Sequence, residues 1–186
     1  KLAAKQIFHP LLKATDRRAN DFELPTQMNL VLMTGSNMSG KSTFLRTVGV
    51  NQVLALSGAP VFAKEFSTSI ARLETCIQVS DSLRDGYSYF YSEVRRLKKI
   101  IDASKEPVPI LYLIDEIFRG TNNLERHIGS KAVIRALLTP SAIGFVSTHD
   151  LELTDLAKDE KRLLNLHFRE DIKDGKMHCS YQLHFG

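Results

Sequence analysis

Leu30-Val31-Leu32-Met33-Thr34-Gly35-Ser36-Asn37-Met38-Ser39-Gly40-Lys41-Ser42-Thr43 decides how the chain is read. An apolar run enters Gly35 and a helix-like sequence leaves from about Lys41, so the stretch reads as strand, glycine loop, helix. Between them stands G-x-x-x-x-G-K-S, a phosphate-binding pattern in the context that such a pattern needs. Gly35 and Gly40 can take positive φ, which lets backbone N–H groups close around phosphate oxygens. The helix that follows turns the positive end of its dipole toward the anion. On this reading Gly35, Ser36, Asn37, Met38, Ser39, Gly40, Lys41, Ser42 and Thr43 hold a nucleotide. Lys41 reaches its β- and γ-phosphates, and Ser42 offers a hydroxyl to Mg²⁺.

The rest of the chain is consistent with one such unit. Its 186 residues are read as a single domain, 1–186. Hydrophobic residues make up 43% and charged residues 25%, an ordinary balance for a globular protein, and the apolar runs fall short of a membrane span. Cys76 and Cys179 have no Cys or His at metal-ligand spacing, so reduced thiols in a cytoplasmic protein are expected. The net charge of +4 is too small to argue for nucleic acid by itself. The chain starts at Lys1 without Met and stops at Phe185-Gly186 after an apparent strand, and is read as a piece of a longer protein.

Before the loop, Pro10 makes residues 1–12 an extended or turning approach segment, and Phe22-Glu23-Leu24 alternates like a short strand before Pro25. Phe8 in that segment offers a face for a base, or is a core residue. After the loop, Phe44, Leu45, Val48, Val53, Leu54 and Leu56 fall at helical spacing up to Ser57-Gly58-Ala59-Pro60. Short strands are expected at Val61-Phe62, Thr68-Ser69-Ile70 and Ile77-Gln78-Val79. A helix is expected from about Ser88, carrying the basic run Arg95-Arg96-Leu97-Lys98-Lys99, which reads better as a solvated face than as a nucleic-acid patch. Ile110–Ile114 and Ile143–Ser147 read as strands buried on both faces. A helix at about Leu124–Leu138 lies between them, and residues 151–158 form a short helix. Leu163–Phe168 and Met177–Leu183 alternate about Asp174-Gly175, a hairpin signal. The expected fold is α/β: a mainly parallel sheet flanked by helices, closed by an antiparallel C-terminal hairpin.

Phosphoryl transfer asks mainly for positioning and charge. Asp115 directly follows a buried strand and is the candidate second ligand of Mg²⁺. Glu116 beside it is the candidate to orient or deprotonate the attacking water. A second strand ends in Ser147-Thr148-His149-Asp150, where His149 is placed to sense the γ-phosphate or the water.

Thr34–Arg46 resembles the phosphate loop of the MutS mismatch-repair ATPase family, usually TGPNMGGKSTYxR. Asp115-Glu116-Ile117-Phe118-Arg119-Gly120-Thr121-Asn122 resembles its DEIGRGTS, and Ser147–Thr154 its ATHYxELT. Asp81-Ser82-Leu83 with Gly86–Glu93 resembles DDLxxGxSTFxxEM; Phe8-His9-Pro10 is similar to RHP, and Asn165–Phe168 to NVHxx. Order and spacing hold over nearly the whole chain.

The resemblance implies a P-loop NTPase of the ABC-type ATPase fold that binds and hydrolyses ATP. It implies a homodimer, or a pair with a related subunit, whose composite sites form at the interface. DNA would be bound through parts of the parent chain. It further implies that Ser88 reaches the γ-phosphate of a partner's nucleotide, that Arg119–Asn122 lie at that interface, and that Phe8 and His9 lie near the adenine. Departures stand at Ser36 (usually Pro), Ser39 and Phe118 (usually Gly) and Tyr89 (usually Thr), the marks of a divergent branch. Two other readings use the same residues: a relative acting on branched or recombining DNA or outside mismatch repair, and a nucleotide-gated dimerisation module with negligible hydrolysis. An ABC transporter subunit is disfavoured because LSGGQ is absent.

Overall fold

The computed structural model describes residues 1–36, 38–77, 89–118, 122–173 and 176–186, with side chains throughout except at 89, 170–173 and 176–178. Strands β3 (Leu30–Thr34), β5 (Arg72–Cys76), β6 (Ile110–Ile114), β7 (Ala142–Ser147) and β8 (Leu163–Lys173) run parallel in one sheet. The antiparallel β9 (Lys176–Phe185) closes it, giving the order β5-β6-β7-β3-β8-β9. The mainly parallel sheet with an antiparallel hairpin is therefore present. Residues 174 and 175 of the hairpin turn lie outside the described residues.

The alternation of apolar residues explains why these strands sit in the middle. Leu30 and Leu32 of β3, with Ile110, Tyr112 and Ile114 of β6, enter one core with α2 (Tyr89–Ser104) and α3 (Asn123–Leu137). Val31 and Met33, with Leu111 and Leu113, enter a second core with α1 (Lys41–Leu56). Side chains at successive strand positions point to opposite faces, so a continuous apolar run is what a strand covered on both sides requires. Each fully buried Leu or Ile contributes about 1.5–3 kcal/mol.

A second sheet, of order β2-β1-β4, lies against the α1 side; the strand at Phe22–Leu24 was expected, its assembly into a separate sheet was not. It is antiparallel: β1 (Leu2–Ile7) pairs with β2 (Asn20–Leu24) and with β4 (Glu65–Thr68). The approach segment is thus partly a strand. Its inward residues Leu2, Ala4 and Ile7 are buried, whereas Lys5 and Gln6 are exposed. The strand expected at Val61-Phe62 is absent, and the one expected at Thr68-Ser69-Ile70 lies earlier, as β4, ending at Thr68. Phe62 instead gives its N–H to Asn51 Oδ1 at 2.6 Å and packs edge to face on Phe8. The strand expected at Ile77–Val79 ends at Cys76, and residues 78–88 lie outside the described residues. The short helix after β7 is a 3-10 turn, Leu151–Asp155, followed by α4 (Leu156–Asp159).

Two cations of the basic run on α2, Lys98 and Lys99, have acidic partners within the domain. Lys98 pairs with Asp102 at 2.6 Å, and Lys99 with Glu74 at 3.2 Å. Arg72 contacts Glu74 and Glu106 at 3.2 and 3.1 Å. Lys98 and Lys99 are thus paired on a solvated face.

Candidate active site

Three neighbouring strands, β6, β7 and β3, end on the same edge of the sheet, and the candidate residues follow those ends. After β3 the chain turns through Gly35 at φ +139° and reaches α1 through Gly40 at φ +107°. Both angles belong to the region that a side chain disfavours. Space disfavours one as well: a Cβ on Gly35 would lie 2.7 Å from Ser39 Oγ, and one on Gly40 would lie 3.1 Å from Tyr181 Cδ1. Gly40 is the N-cap of α1; it makes no side-chain cap hydrogen bond, and the first turn carries no acidic residue. Such a helix start gathers N–H groups that have no acceptor within the helix at a positive dipole end, the electrostatics that favour an anion.

Lys41 is 2% exposed, and its Nζ donates to the carbonyl oxygens of Gly35 and Ser36 at 2.6 Å each. Ser39 Oγ donates to the Ser36 carbonyl at 2.8 Å, and Ser39 is fully buried. Met38 is exposed, Ser42 half-buried and Thr43 exposed. Asn37 lies outside the described residues. Beneath the loop, Phe44 sits among Phe22, Phe145 and Phe168 with ring centroids 5.5–6.0 Å apart, edge to face. That aromatic packing seats the start of α1 on the sheet.

Asp115 follows β6 and is 7% exposed; it accepts a 2.8 Å hydrogen bond from Ser147 Oγ. The same Ser147 oxygen accepts the Glu116 N–H at 2.8 Å. Glu116 Oε1 lies 2.7 Å from His149 Nε2, with the glutamate side chain 14% exposed and the imidazole 36%. The His149 segment is fastened on both sides. Thr148 N–H donates to the Met33 carbonyl of β3 at 3.0 Å, and Asp150 Oδ2 lies 2.7 Å from His127 Nδ1 of α3.

Phe118, where the resembled family has Gly, stands at φ +58° and is 8% exposed. Its ring packs 6.0 Å from that of Phe90, and its N–H donates to Glu93 Oε1 at 2.6 Å. A Cβ on Gly129 would meet the ring at 2.8 Å, so the glycine of α3 is what admits the aromatic. Ser88 and residues 119–121 lie outside the described residues.

A cavity of about 410 Å³ opens beside the loop, lined by His9, Asp16, Arg18, Gly40, Thr43, Phe168 and Tyr181 among others. Its size suits a nucleoside. His9 lines it, whereas the Phe8 ring lies against Phe62 and beneath the Arg17 guanidinium, 4.9 Å from the ring centroid. Tyr181 was not foreseen. It reaches the cavity because Asn20 holds β9 with both ends of its amide, donating to the Tyr181 carbonyl at 3.0 Å and accepting from Leu183 N–H at 2.8 Å. No local signal marks a tyrosine on a hairpin for such a place.

Burial and the nearby Arg46 hold His9 below the ordinary imidazole value of 6.5. Burial, then His184 and Arg169, do the same to His167. Below 6.5 the unfolded chain therefore binds more protons than the folded one, and stability falls on acidification through that value while staying flat above it. Thermal melts between pH 5 and 8 test this: the slope should be shallower in His9→Gln, and an unchanged slope would contradict it.

A family model described as MutS domain V matches residues 31–186. "MutS protein homolog 4" of Mus musculus is 36% identical over 172 residues, which cover 90% of this chain and 18% of that protein. "DNA mismatch repair protein MutS" of Listeria welshimeri is 34% identical over 201 residues, covering 98% of this chain and 23% of that protein. The chain thus spans about a fifth of the length of the curated relatives it matches.

Proposed function

The chain belongs to the MutS family, and from that premise we propose that it binds and hydrolyses Mg-ATP and couples turnover to conformational change of a DNA-bound dimer. One observation carries the reading: Lys41, Asp115, Glu116 and His149 follow three neighbouring strands to one edge of the sheet, with Glu116 and His149 2.7 Å apart. Ligands of open α/β sheets bind outside the carboxyl ends of the strands. The loop amides and Lys41 bind the phosphates. The base lies toward the cavity of His9 and Tyr181. The Ser42 hydroxyl and the Asp115 carboxylate are oxygen donors of the kind that suits Mg²⁺, which would neutralise charge on the β- and γ-phosphates. Glu116 orients the attacking water and takes its proton, and His149 fixes the Glu116 carboxylate and reads the γ-phosphate. Dimerisation through the ATPase face and DNA contact through the parent protein are part of the same proposal.

Lys41→Ala tests the site directly. Losing a charged donor costs about 1.5–3 kcal/mol, so the Kd for ATP should rise roughly tenfold to a hundredfold. An unchanged Kd by fluorescence titration, in a variant that melts like the wild type, would count against the whole site.

A further inference from the structure

Ser147 is the last residue of β7 and fully buried. It holds three consecutive residues that follow the end of the neighbouring strand β6. Its hydroxyl donates to Asp115 Oδ1 and accepts the Glu116 N–H, both at 2.8 Å, and its carbonyl accepts the Ile117 N–H at 3.4 Å. One hydroxyl has one proton to give, and here it goes to the carboxylate. The residue so held is strained: Glu116 has φ +54°, a left-handed conformation that costs a non-glycine residue free energy and persists only where its surroundings enforce it.

We propose that Ser147 is a positioning residue that sets Asp115 and Glu116 relative to each other. The chemical consequence rests on the Mg-ATPase reading above. Asp115 and Glu116 are neighbours in sequence with different tasks, so one carboxylate must face the metal side and the other the water. A strand alone would send them to opposite faces, and β6 ends at Ile114. The left-handed turn at Glu116 brings its carboxylate to His149, and the Ser147 oxygen locks that turn from the side. The bond to Oδ1 fixes the carboxylate plane of Asp115 at the same time. Ser147 thereby joins the metal-binding and water-binding halves through a single atom.

Three variants separate this role from simple core satisfaction. Ser147→Ala removes the hydroxyl, while Ser147→Thr and Ser147→Val share a shape and differ in the hydroxyl alone. Amide hydrogen exchange at Glu116 reads the bond without any turnover. It should accelerate at least about tenfold in Ser147→Ala and in Ser147→Val, and less in Ser147→Thr. In hydrolysis assays the Mg²⁺ concentration for half-maximal rate should rise and kcat should fall by roughly ten- to a hundredfold in Ser147→Ala. ATP affinity measured in EDTA should stay at the wild-type value. Wild-type exchange at Glu116 in Ser147→Ala, or indistinguishable behaviour of the Thr and Val variants, would overturn the proposal. A wild-type chain without Mg-dependent turnover would overturn the ATPase reading instead, and the exchange measurement would still decide whether Ser147 holds Glu116.

Discussion

Glu116→Gln should bind Mg-ATP with near wild-type affinity and hydrolyse it roughly 10²–10⁴-fold more slowly, the usual contribution of a positioned general base. The amide keeps the size of the carboxylate and can still meet His149, whose Nε2 lies 2.7 Å from Glu116 Oε1. It cannot accept a proton from water at neutral pH. Binding should survive because the groups proposed to hold phosphate, Lys41 and the loop amides, follow β3 rather than β6. Single-turnover hydrolysis with pre-bound nucleotide separates the two effects. Equal rates for variant and wild type would remove Glu116 from its role.

Gly144→Ala should be the most damaging small substitution in the fold. Gly144 lies in β7 between β6 and β3, and a Cβ there would lie 2.3 Å from the Tyr112 carbonyl oxygen and 2.4 Å from a carbon of its ring. Tyr112 is fully buried, so neither backbone nor ring has room to retreat. Overpacking a dense core costs typically 1–3 kcal/mol and occasionally more; with backbone as the obstacle, about 3 kcal/mol or more is expected. For a chain of this size that lowers Tm by roughly 6–12 °C. A melt within 2 °C of wild type would contradict the packing described for the centre of the sheet.

Much of this architecture is legible in the residues because burial on both faces leaves a direct mark. Ile110–Ile114 and Leu30–Met33 are unbroken apolar runs, and both lie in interior strands. β1 leaves no such mark. Ala3, Ala4, Lys5 and Gln6 have little intrinsic strand preference, and their extended form comes from pairing with Glu65–Thr68 and Asn20–Leu24, far along the chain. Val61-Phe62 carries the stronger local preference, yet Asn51 of α1 takes the Phe62 N–H and the strand forms beyond it.

The site divides in the same way. Lys41, Asp115, Glu116 and His149 stand in local patterns whose strand and helix context is visible. Their mutual fit is not. The Ser147 bridge depends on how β6 and β7 end side by side, and the Tyr181 wall depends on the register of β9 against Asn20. Phe118 shows the converse case. As a residue it reads as a departure, and only Gly129, Phe90 and Glu93 around it explain how a left-handed phenylalanine is accommodated.

The most direct measurement is phosphate release from ATP per molecule of protein, with Mg²⁺ present, as protein concentration is raised. A Mg-dependent rate that climbs with concentration and is lost in Ser88→Ala is expected, since on the proposed reading a second domain completes each site. A rate flat and near zero from folded, nucleotide-saturated protein would contradict ATP turnover at this site.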